Sequence, residues 1–542
     1  MADLFWSALA LPLFVGACLS LLVERLLQPG TLPFWKRHWA ALTIHIGLWL
    51  LLFAFELAVF RRPWFAVANV LALLLFVVQV SNAKFHSLCE PFIVQDFDYF
   101  TDALKHPRLY IPFLGIGRAL IVAAGFGGAL YAGLTLELSL TERVSTANFF
   151  IIVTALVVFG LALLWLGARQ KLTVSFEPET DLRQLGLMTS LWRYGEEEHG
   201  RYCVPSRYDF VESRRLGCIF SQPNTLVQYR LNGINPTYRT LAALPNLVVV
   251  QSESFFDVRR LFSGIRPEVL REFDTIKASA VCQGQVAVSA WGANTVRTEF
   301  AFLSGLGAES MGVHRFNPYR KLARQSIPTL AGFLKQLGYR TVCVHPYFAS
   351  FYARDKVFPL LGFDEFIDIR SFNDAERSGP YVGDVALAEK VCALLETSST
   401  QPVFVFVITM ENHGPLHLEK VLEGDVERQY SSPPPDGCED LTIYLRHLTN
   451  ADRMAGMLRD QLDAMPGSAW LCWYGDHVPI MPRVYGAMST PDGQTDYLIW
   501  KKGGNAGKGT RLDLKVENLS YLLLQEMGLV SALTEDVPER IN

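Results

Sequence analysis

The chain has 542 residues, is 50% hydrophobic and carries a formal net charge of -4. That balance leaves no basic footprint for nucleic acid, so no nucleic-acid partner is expected. The apolar residues are too unevenly spread for one soluble domain. Five long apolar stretches, 4–27, 39–60, 64–80, 110–136 and 149–166, all precede residue 170. A membrane-spanning helix needs about 20 mostly apolar residues, so residues 1–168 are expected to form a transmembrane domain of five helices. The first stretch has no basic start, Asp3 being its only early charge, and reads as a retained anchor rather than a cleaved signal. Trp6, Trp35, Trp39, Trp64 and Trp165 stand near segment ends, as interfacial aromatics do. Glu56 falls late in the second stretch, where snorkelling to the interface explains it.

Residues 81–108 are too polar to span. Phe85, Phe92, Phe97, Tyr99 and Phe100 among Asp96, Asp98, Asp102 and Lys105 suggest a segment lying in the interface or a structured loop. Residues 169–243 are polar, with Glu196-Glu197-Glu198, and read as an irregular connecting arm. From 244 the pattern changes. Apolar runs at 247–250, 341–344, 403–408 and 470–473 alternate with helical stretches at 329–337, 385–395 and 441–462. That alternation predicts an α/β domain over 244–542 with a central, mostly parallel sheet. Seven of the nine cysteines lie after residue 169. Cys343 and Cys472 sit inside apolar runs as core residues, and Cys203 and Cys218 are a possible disulfide pair.

Four motifs carry the chemistry. Ser252-Glu253-Ser254 follows the run 247–250, and Met410-Glu411-Asn412-His413-Gly414 follows 403–408. Gly475-Asp476-His477 follows 470–474, and Asn294-Thr295 precedes Glu299-Phe300. Ligands in open α/β sheets gather at the carboxyl ends of strands, so these motifs point to one site. Phosphoryl transfer needs charge neutralisation and an aligned nucleophile. Glu253, Asp476 and His477 supply two carboxylates and an imidazole for a divalent ion. Thr295 is a candidate fourth ligand and nucleophile, its hydroxyl activated by the metal. The mixed oxygen and nitrogen set suits Mn²⁺, with Mg²⁺ or Zn²⁺ as alternatives. Each residue also has a structural reading: Glu253 or Thr295 as a helix cap, Asp476-His477 as a turn, His413 as a satisfied loop histidine.

The strings VVVQSESFFD (248–257), ANTVRTEF (293–300), HPYFASFYARD (345–355), ITMENHGP (408–415) and WYGDHVP (473–479) resemble the lipoteichoic acid synthase branch of the alkaline phosphatase/sulfatase superfamily. The likeness covers roughly 244–490, and the preceding spans match that family's architecture. It implies a polytopic α-helical membrane domain followed by an alkaline phosphatase/sulfatase-like catalytic domain. It also implies that Glu253, Thr295, Asp476 and His477 bind one Mn²⁺. Glycerol phosphate is then held by His345, Tyr352, Arg354 and His413. The position of Tyr352 is commonly Trp in that family, which leaves head-group or acceptor preference open. Independently, the Arg354 guanidinium fork suits phosphate oxygens, with a surface salt bridge to Asp355 or Asp364 as its bland alternative. His413 suits protonation of a leaving oxygen or orientation of the phosphate. Cys203-Val204-Pro205-Ser206-Arg207 resembles the sulfatase formylglycine signature but stands far before Thr295, where that cysteine would belong.

The implied reaction moves glycerol phosphate from phosphatidylglycerol, through Thr295, to a hydroxyl of an extracytoplasmic glycan or polymer. The implied location is a bacterial cytoplasmic membrane with the catalytic domain outside. Loop charges oppose that orientation. Arg61, Arg62 and Arg143 lie on the side expected to be cytoplasmic, against Lys36, Arg37, Lys84, Lys105, Arg108, Arg169 and Lys171 on the other. Competing functions are phosphoethanolamine transfer and a non-catalytic lipid sensor.

Overall fold

A computed structural model describes residues 2–99, 135–200, 244–325, 327–397, 401–504 and 509–530, with scattered positions between 124 and 133. The stretch 110–136 lies almost wholly outside these residues. So do Cys203, Cys218 and the Cys203–Arg207 motif, and most of the arm after residue 200. The chain divides into two compact units, Met1–Arg201 and Tyr202–Asn542.

In the first unit, four helices among the described residues are long and apolar enough to cross a membrane. They include Trp39–Phe60, Pro63–Leu88 and Thr146–Ala168, with the first over Ala8–Leu26. Two of them approach through glycine: a Cβ on Gly47 would lie 3.0 Å from the Gly160 carbonyl oxygen. Small residues allow such close backbone contact in lipid. Glu56 accepts a hydrogen bond from Asn69 of the next helix at 3.0 Å.

Residues 178–197 differ from the expected irregular arm. They form two helices, Pro178–Leu185 and Leu187–Glu197, whose Leu182, Leu187 and Met188 pack into the core of the first unit. The cause is a polar clamp that no local spacing reveals. Glu24, fully buried, ion-pairs with Arg37 and lies 3.3 Å from His45 Nδ1. It also accepts the Met188 backbone N–H at 3.0 Å. Gly186 sits over this pair at φ 81°, where a Cβ would fall 2.0 Å from Arg37 Nη1. Within the stretch read as interfacial, Lys84 pairs with Glu90 and Asp96 at 2.6 and 2.7 Å, giving a structured turn.

The second unit is built on a nine-stranded sheet. Its strands are β1 (Asn246–Ser252), β2 (Cys282–Ala287), β3 (Arg340–Val344), β4 (Glu365–Ile367), β7 (Val403–Ile408), β8 (Ala469–Gly475), β9 (Thr495–Lys501), β10 (Thr510–Arg511) and β11 (Leu514–Lys515). A separate hairpin pairs β5 (Arg377–Ser378) with β6 (Tyr381–Val382). The sheet order is β10-β2-β9-β8-β1-β7-β3-β4, with β11 also on β2. All pairings are parallel except those of β9, which runs antiparallel to β2 and β8. The sheet is therefore mixed but mostly parallel.

Strand periodicity sorts the core. Val248 and Val250 of β1 face one cluster, with Leu387 and Val391 of the Asp384–Glu396 helix and Leu441 and Leu448 of the Glu439–Ala464 helix. Leu247 and Val249 face the other, with Phe300 of the Thr295–Ser304 helix and Leu519 of the Val516–Glu526 helix. Helices thus cover both faces, and the central strands are apolar throughout because neither face meets water. Cys343 and Cys472 are fully buried core residues, as expected. No disulfide occurs among the described residues.

Candidate active site

Four neighbouring parallel strands, β8-β1-β7-β3, end at the same sheet edge. β1 delivers Glu253, β8 delivers Asp476 and His477, β7 leads to His413, and β3 leads to His345. The close spacing of β1 and β8 continues past their ends. Ser254, at φ 54°, donates its backbone N–H to Asp476 Oδ1 at 2.8 Å. A Cβ on Gly475 would lie 1.9 Å from the Phe255 carbonyl oxygen, so only glycine fits the strand end that presents Asp476.

Glu253, Asp476 and His477 are all buried, and one ligand atom from each lies within 4.8 Å of the others. His477 donates Nδ1–H to the Val478 carbonyl at 3.1 Å, because a carbonyl can only accept. That tautomer turns a bare Nε2 toward Glu253 Oε1 and Asp476 Oδ2, each 3.5 Å away. His477 Nε2 and Asp476 Oδ2 are buried without a hydrogen-bond partner, which is costly for polar atoms unless something else satisfies them. Burial, and then the Asp476 charge, push the Glu253 carboxyl up to about 8. An open imidazole nitrogen and two crowded carboxylates fit a divalent cation. The donor set alone does not choose between Mn²⁺, Mg²⁺ and Zn²⁺.

Thr295 opens the Thr295–Ser304 helix after Asn294 in the left-handed region (φ 65°, ψ 40°). The first turn of that helix is tied to the cluster: Thr298 donates its hydroxyl to the Asp476 carbonyl at 2.8 Å. Unpaired N–H groups and the helix dipole make this terminus favourable for phosphate.

Arg354 is not in a surface salt bridge. It is 1% exposed and gives Nε and Nη2 to the two oxygens of Glu299 at 3.2 and 2.8 Å. Tyr319 hydrogen-bonds the same carboxylate. The side edge of the guanidinium is thereby occupied, and the end edge carrying Nη1 remains, 3.4 Å from His345 Nε2. His345 donates Nδ1–H to the Ile408 carbonyl at 3.1 Å. Burial and the Arg354 charge hold its imidazole well below its usual range. Tyr352, at φ 56°, lies 5.2 Å from the Arg354 guanidinium, ring face to cation. Sequence reasoning marked Glu299 only as a neighbour of Thr295. Its position one helical turn after Thr295 was the available signal.

His413 is partly buried. Its Nδ1 lies 2.7 Å from the Gly414 carbonyl and 3.3 Å from the Tyr381 hydroxyl on β6. Burial lowers its pKa, partly offset by the Gly414 bond and the Asp476 charge. A neutral ring with Nδ1–H engaged leaves Nε2 as a proton acceptor. Beside it, the Asn412 side-chain amide is buried with no partner for either polar atom. One Asp384 oxygen is likewise buried and unpartnered.

The fold and cluster define an α/β domain with a candidate metal site, on a chain that also carries apolar membrane-length helices. The family model described as Sulfatase matches residues 245–528, just over half of the chain, and the chain belongs to that family. It is 27% identical over 456 residues to the capsular polysaccharide biosynthesis protein RkpI of Rhizobium meliloti, covering 83% of this chain and 79% of that one. It is similar in structure to the integral membrane lipooligosaccharide phosphoethanolamine transferase A of Neisseria meningitidis. That match has a TM-score of 0.51 and 12% identity, covering 90% of this chain and 97% of the other. The phosphoglycerol transferase GacH of Streptococcus pyogenes, solved with sn-glycerol-1-phosphate, aligns at TM-score 0.45 and 23% identity. It covers 54% of this chain and 76% of that one.

Proposed function

We propose that the protein is a membrane phosphoglycerol transferase. Thr295 attacks the phosphorus of phosphatidylglycerol, the bond to the diacylglycerol oxygen breaks, and glycerophosphate remains on Thr295. A hydroxyl of an extracytoplasmic glycan or polymer then displaces Thr295 and completes the transfer. The observation that carries this reading is the buried trio Glu253, Asp476 and His477, with two orphaned donor atoms, fixed to the Thr295 helix through Thr298. A divalent cation held there would lower the pKa of the Thr295 hydroxyl and neutralise phosphate charge.

The surrounding residues divide the remaining work. Glu299 holds Arg354 so that its end edge faces the phosphate. His345 and Tyr352 flank that edge. His413 Nε2 takes the proton of the attacking Thr295 hydroxyl and delivers it to the departing diacylglycerol oxygen, then takes the proton of the incoming acceptor hydroxyl and returns it to the departing Thr295 oxygen. Motif likeness to lipoteichoic acid synthases supports glycerol phosphate as the transferred group. The relationship to a capsular polysaccharide biosynthesis protein supports a glycan acceptor. The same likeness supports a location of this unit outside the cytoplasmic membrane.

Phosphoethanolamine transfer is the second reading, since the structural match that spans both units is a phosphoethanolamine transferase. Mass spectrometry after incubation with Mn²⁺ and mixed phosphatidylglycerol and phosphatidylethanolamine separates the two. A glycerophosphate adduct on Thr295, missing in Thr295→Ala, is expected. A phosphoethanolamine adduct would move the protein to the second reading. Lipid turnover retained by Thr295→Ala would remove the nucleophile assignment.

A further inference from the structure

Among the described residues of the second unit, five large apolar side chains are strongly exposed: Phe348 (48%), Leu360 (44%), Leu418 (62%), Val421 (36%) and Leu422 (55%). Their distribution is uneven. Phe348 lies three residues beyond His345 on the loop leaving β3, and the last three lie beyond His413 on the loop leaving β7. Those two strands are adjacent and parallel, so four of the five side chains crown the sheet edge that carries the site. Leu360 is at the opposite end, beside Gly362, whose carbonyl bonds Thr341 at the start of β3.

The exposure does not come from slack backbone. Leu416 is buried beneath the 416–425 loop. Glu419 accepts from Arg446 at 2.8 Å and from His447 at 3.2 Å. Arg446 also donates to the Lys420 carbonyl at 3.1 Å and to Asp425 at 2.9 Å. Asp425 in turn holds the Leu422 N–H at 2.9 Å. Phe348 stands edge-on to Tyr347, ring centroids 5.4 Å apart, and Tyr347 lies against His345. Ion pairs and ring contacts below thus fix apolar tips that point away from the protein. Large apolar side chains held exposed on the loops that leave two adjacent strands at a site mark a binding surface.

The chemistry of the occupant follows from two facts. The same chain carries four helices of membrane-spanning length and composition, so a phospholipid surface always accompanies this unit. In a glycerophospholipid, the acyl chains attach through the glycerol bonded to the reacting phosphate. When that phosphate sits at the sheet edge, the tails must leave across its rim. We infer that Phe348, Leu418, Val421 and Leu422 form a lipid-docking rim that enters the headgroup–acyl boundary of a phospholipid surface. The inference rests on the lipid-donor reading above and adds to it the surface by which the donor is met.

The test uses the full chain in phosphatidylglycerol-containing nanodiscs, with a photoreactive benzophenone amino acid replacing Leu422 or, as control, Leu360. Irradiation should give phospholipid adducts at position 422 at least tenfold above those at 360. Equal labelling at the two positions would overturn the rim. The triple variant Leu418→Ser, Val421→Ser, Leu422→Ser should turn over long-chain phosphatidylglycerol in vesicles about tenfold more slowly. It should retain its rate on monomeric dihexanoyl phosphatidylglycerol. Equal loss on both donors, or loss on neither, would refute docking. If the native chain turns over no glycerophospholipid while position 422 still crosslinks lipid, the donor reading fails and the rim stands.

Discussion

Glu299→Gln should strongly destabilise the second unit while leaving the Glu253, Asp476 and His477 side chains in place. Glu299 is fully buried and Arg354 is 1% exposed. Their two hydrogen bonds, 3.2 and 2.8 Å, neutralise a guanidinium that hydrogen-bonds no other carboxylate among the described residues. Removing one member of a buried ion pair leaves the other charge uncompensated, which costs about 3–5 kcal/mol. For a domain of this size each kcal/mol moves Tm by about 2–4 °C, so a fall on the order of 10 °C is expected. The assay is thermal unfolding of the full chain in detergent at fixed, saturating Mn²⁺. The double variant Glu299→Leu, Arg354→Met should recover most of the loss, because apolar replacement of a buried pair is often neutral or stabilising. It should remain inactive, because the phosphate-facing edge is gone. An unchanged Tm in Glu299→Gln, or a stable double variant that still transfers glycerol phosphate, would refute the argument. Arg354→Lys should behave like Glu299→Gln in activity but lose less stability, since an ammonium keeps the charge without the two-pronged geometry.

Three further outcomes are expected. Chelation should lower Tm, and readdition of Mn²⁺ at about 100 times its Kd should restore about 2.7 kcal/mol, read by calorimetry; no metal dependence would remove the trio as a binding site. The metal effect should grow between pH 6 and 9. Glu253 has a raised carboxyl, up to about 8, so in metal-free protein its stabilising protonated form is complete below about 4.5 and is lost as pH rises through 8. Metal binding requires that same deprotonation, so the gap in Tm between loaded and chelated protein should widen with pH; a constant gap would contradict the Glu253 assignment. Gly475→Ala should reduce metal affinity at least tenfold, because the new Cβ meets the Phe255 carbonyl at 1.9 Å and displaces the chain ahead of Asp476; titration with Mn²⁺ followed by paramagnetic resonance reads it directly.

How much of this was legible in the sequence follows from what each residue does locally. β1, β3, β7 and β8 are buried on both faces, so they read as apolar runs, and the motif residues stand at their ends by the geometry of a parallel sheet. β2 reads Cys-Gln-Gly-Gln-Val-Ala with alternate residues half-exposed, and it carries no apolar run to find. β9 runs against its neighbours, which a strand–helix alternation cannot anticipate. The helices over 178–197 are hidden for a related reason. Their polar composition suits one solvated face, and what folds them back is Glu24, more than 160 residues earlier, accepting the Met188 N–H.

The same distinction explains the site. Glu253, Asp476 and His477 could be named singly, because each type binds metals and each follows a strand. The pairing of Glu299 with Arg354 spans 55 residues and joins the Thr295–Ser304 helix to the segment after β3. That pairing changes the chemistry assigned to Arg354. A guanidinium free in a pocket would offer its side edge to phosphate and lose orientation to its own flexibility. One held by Glu299 through that edge, and backed by Tyr319, presents the Nη1 end in a single direction beside His345 Nε2. The transfer proposed above runs by in-line attack on phosphorus, and for such a step an anion clamp whose direction is fixed before substrate arrives contributes to alignment as well as to binding. Loss of Glu299 should therefore lower kcat as well as raise KM, whereas loss of a purely attractive charge would act on KM alone.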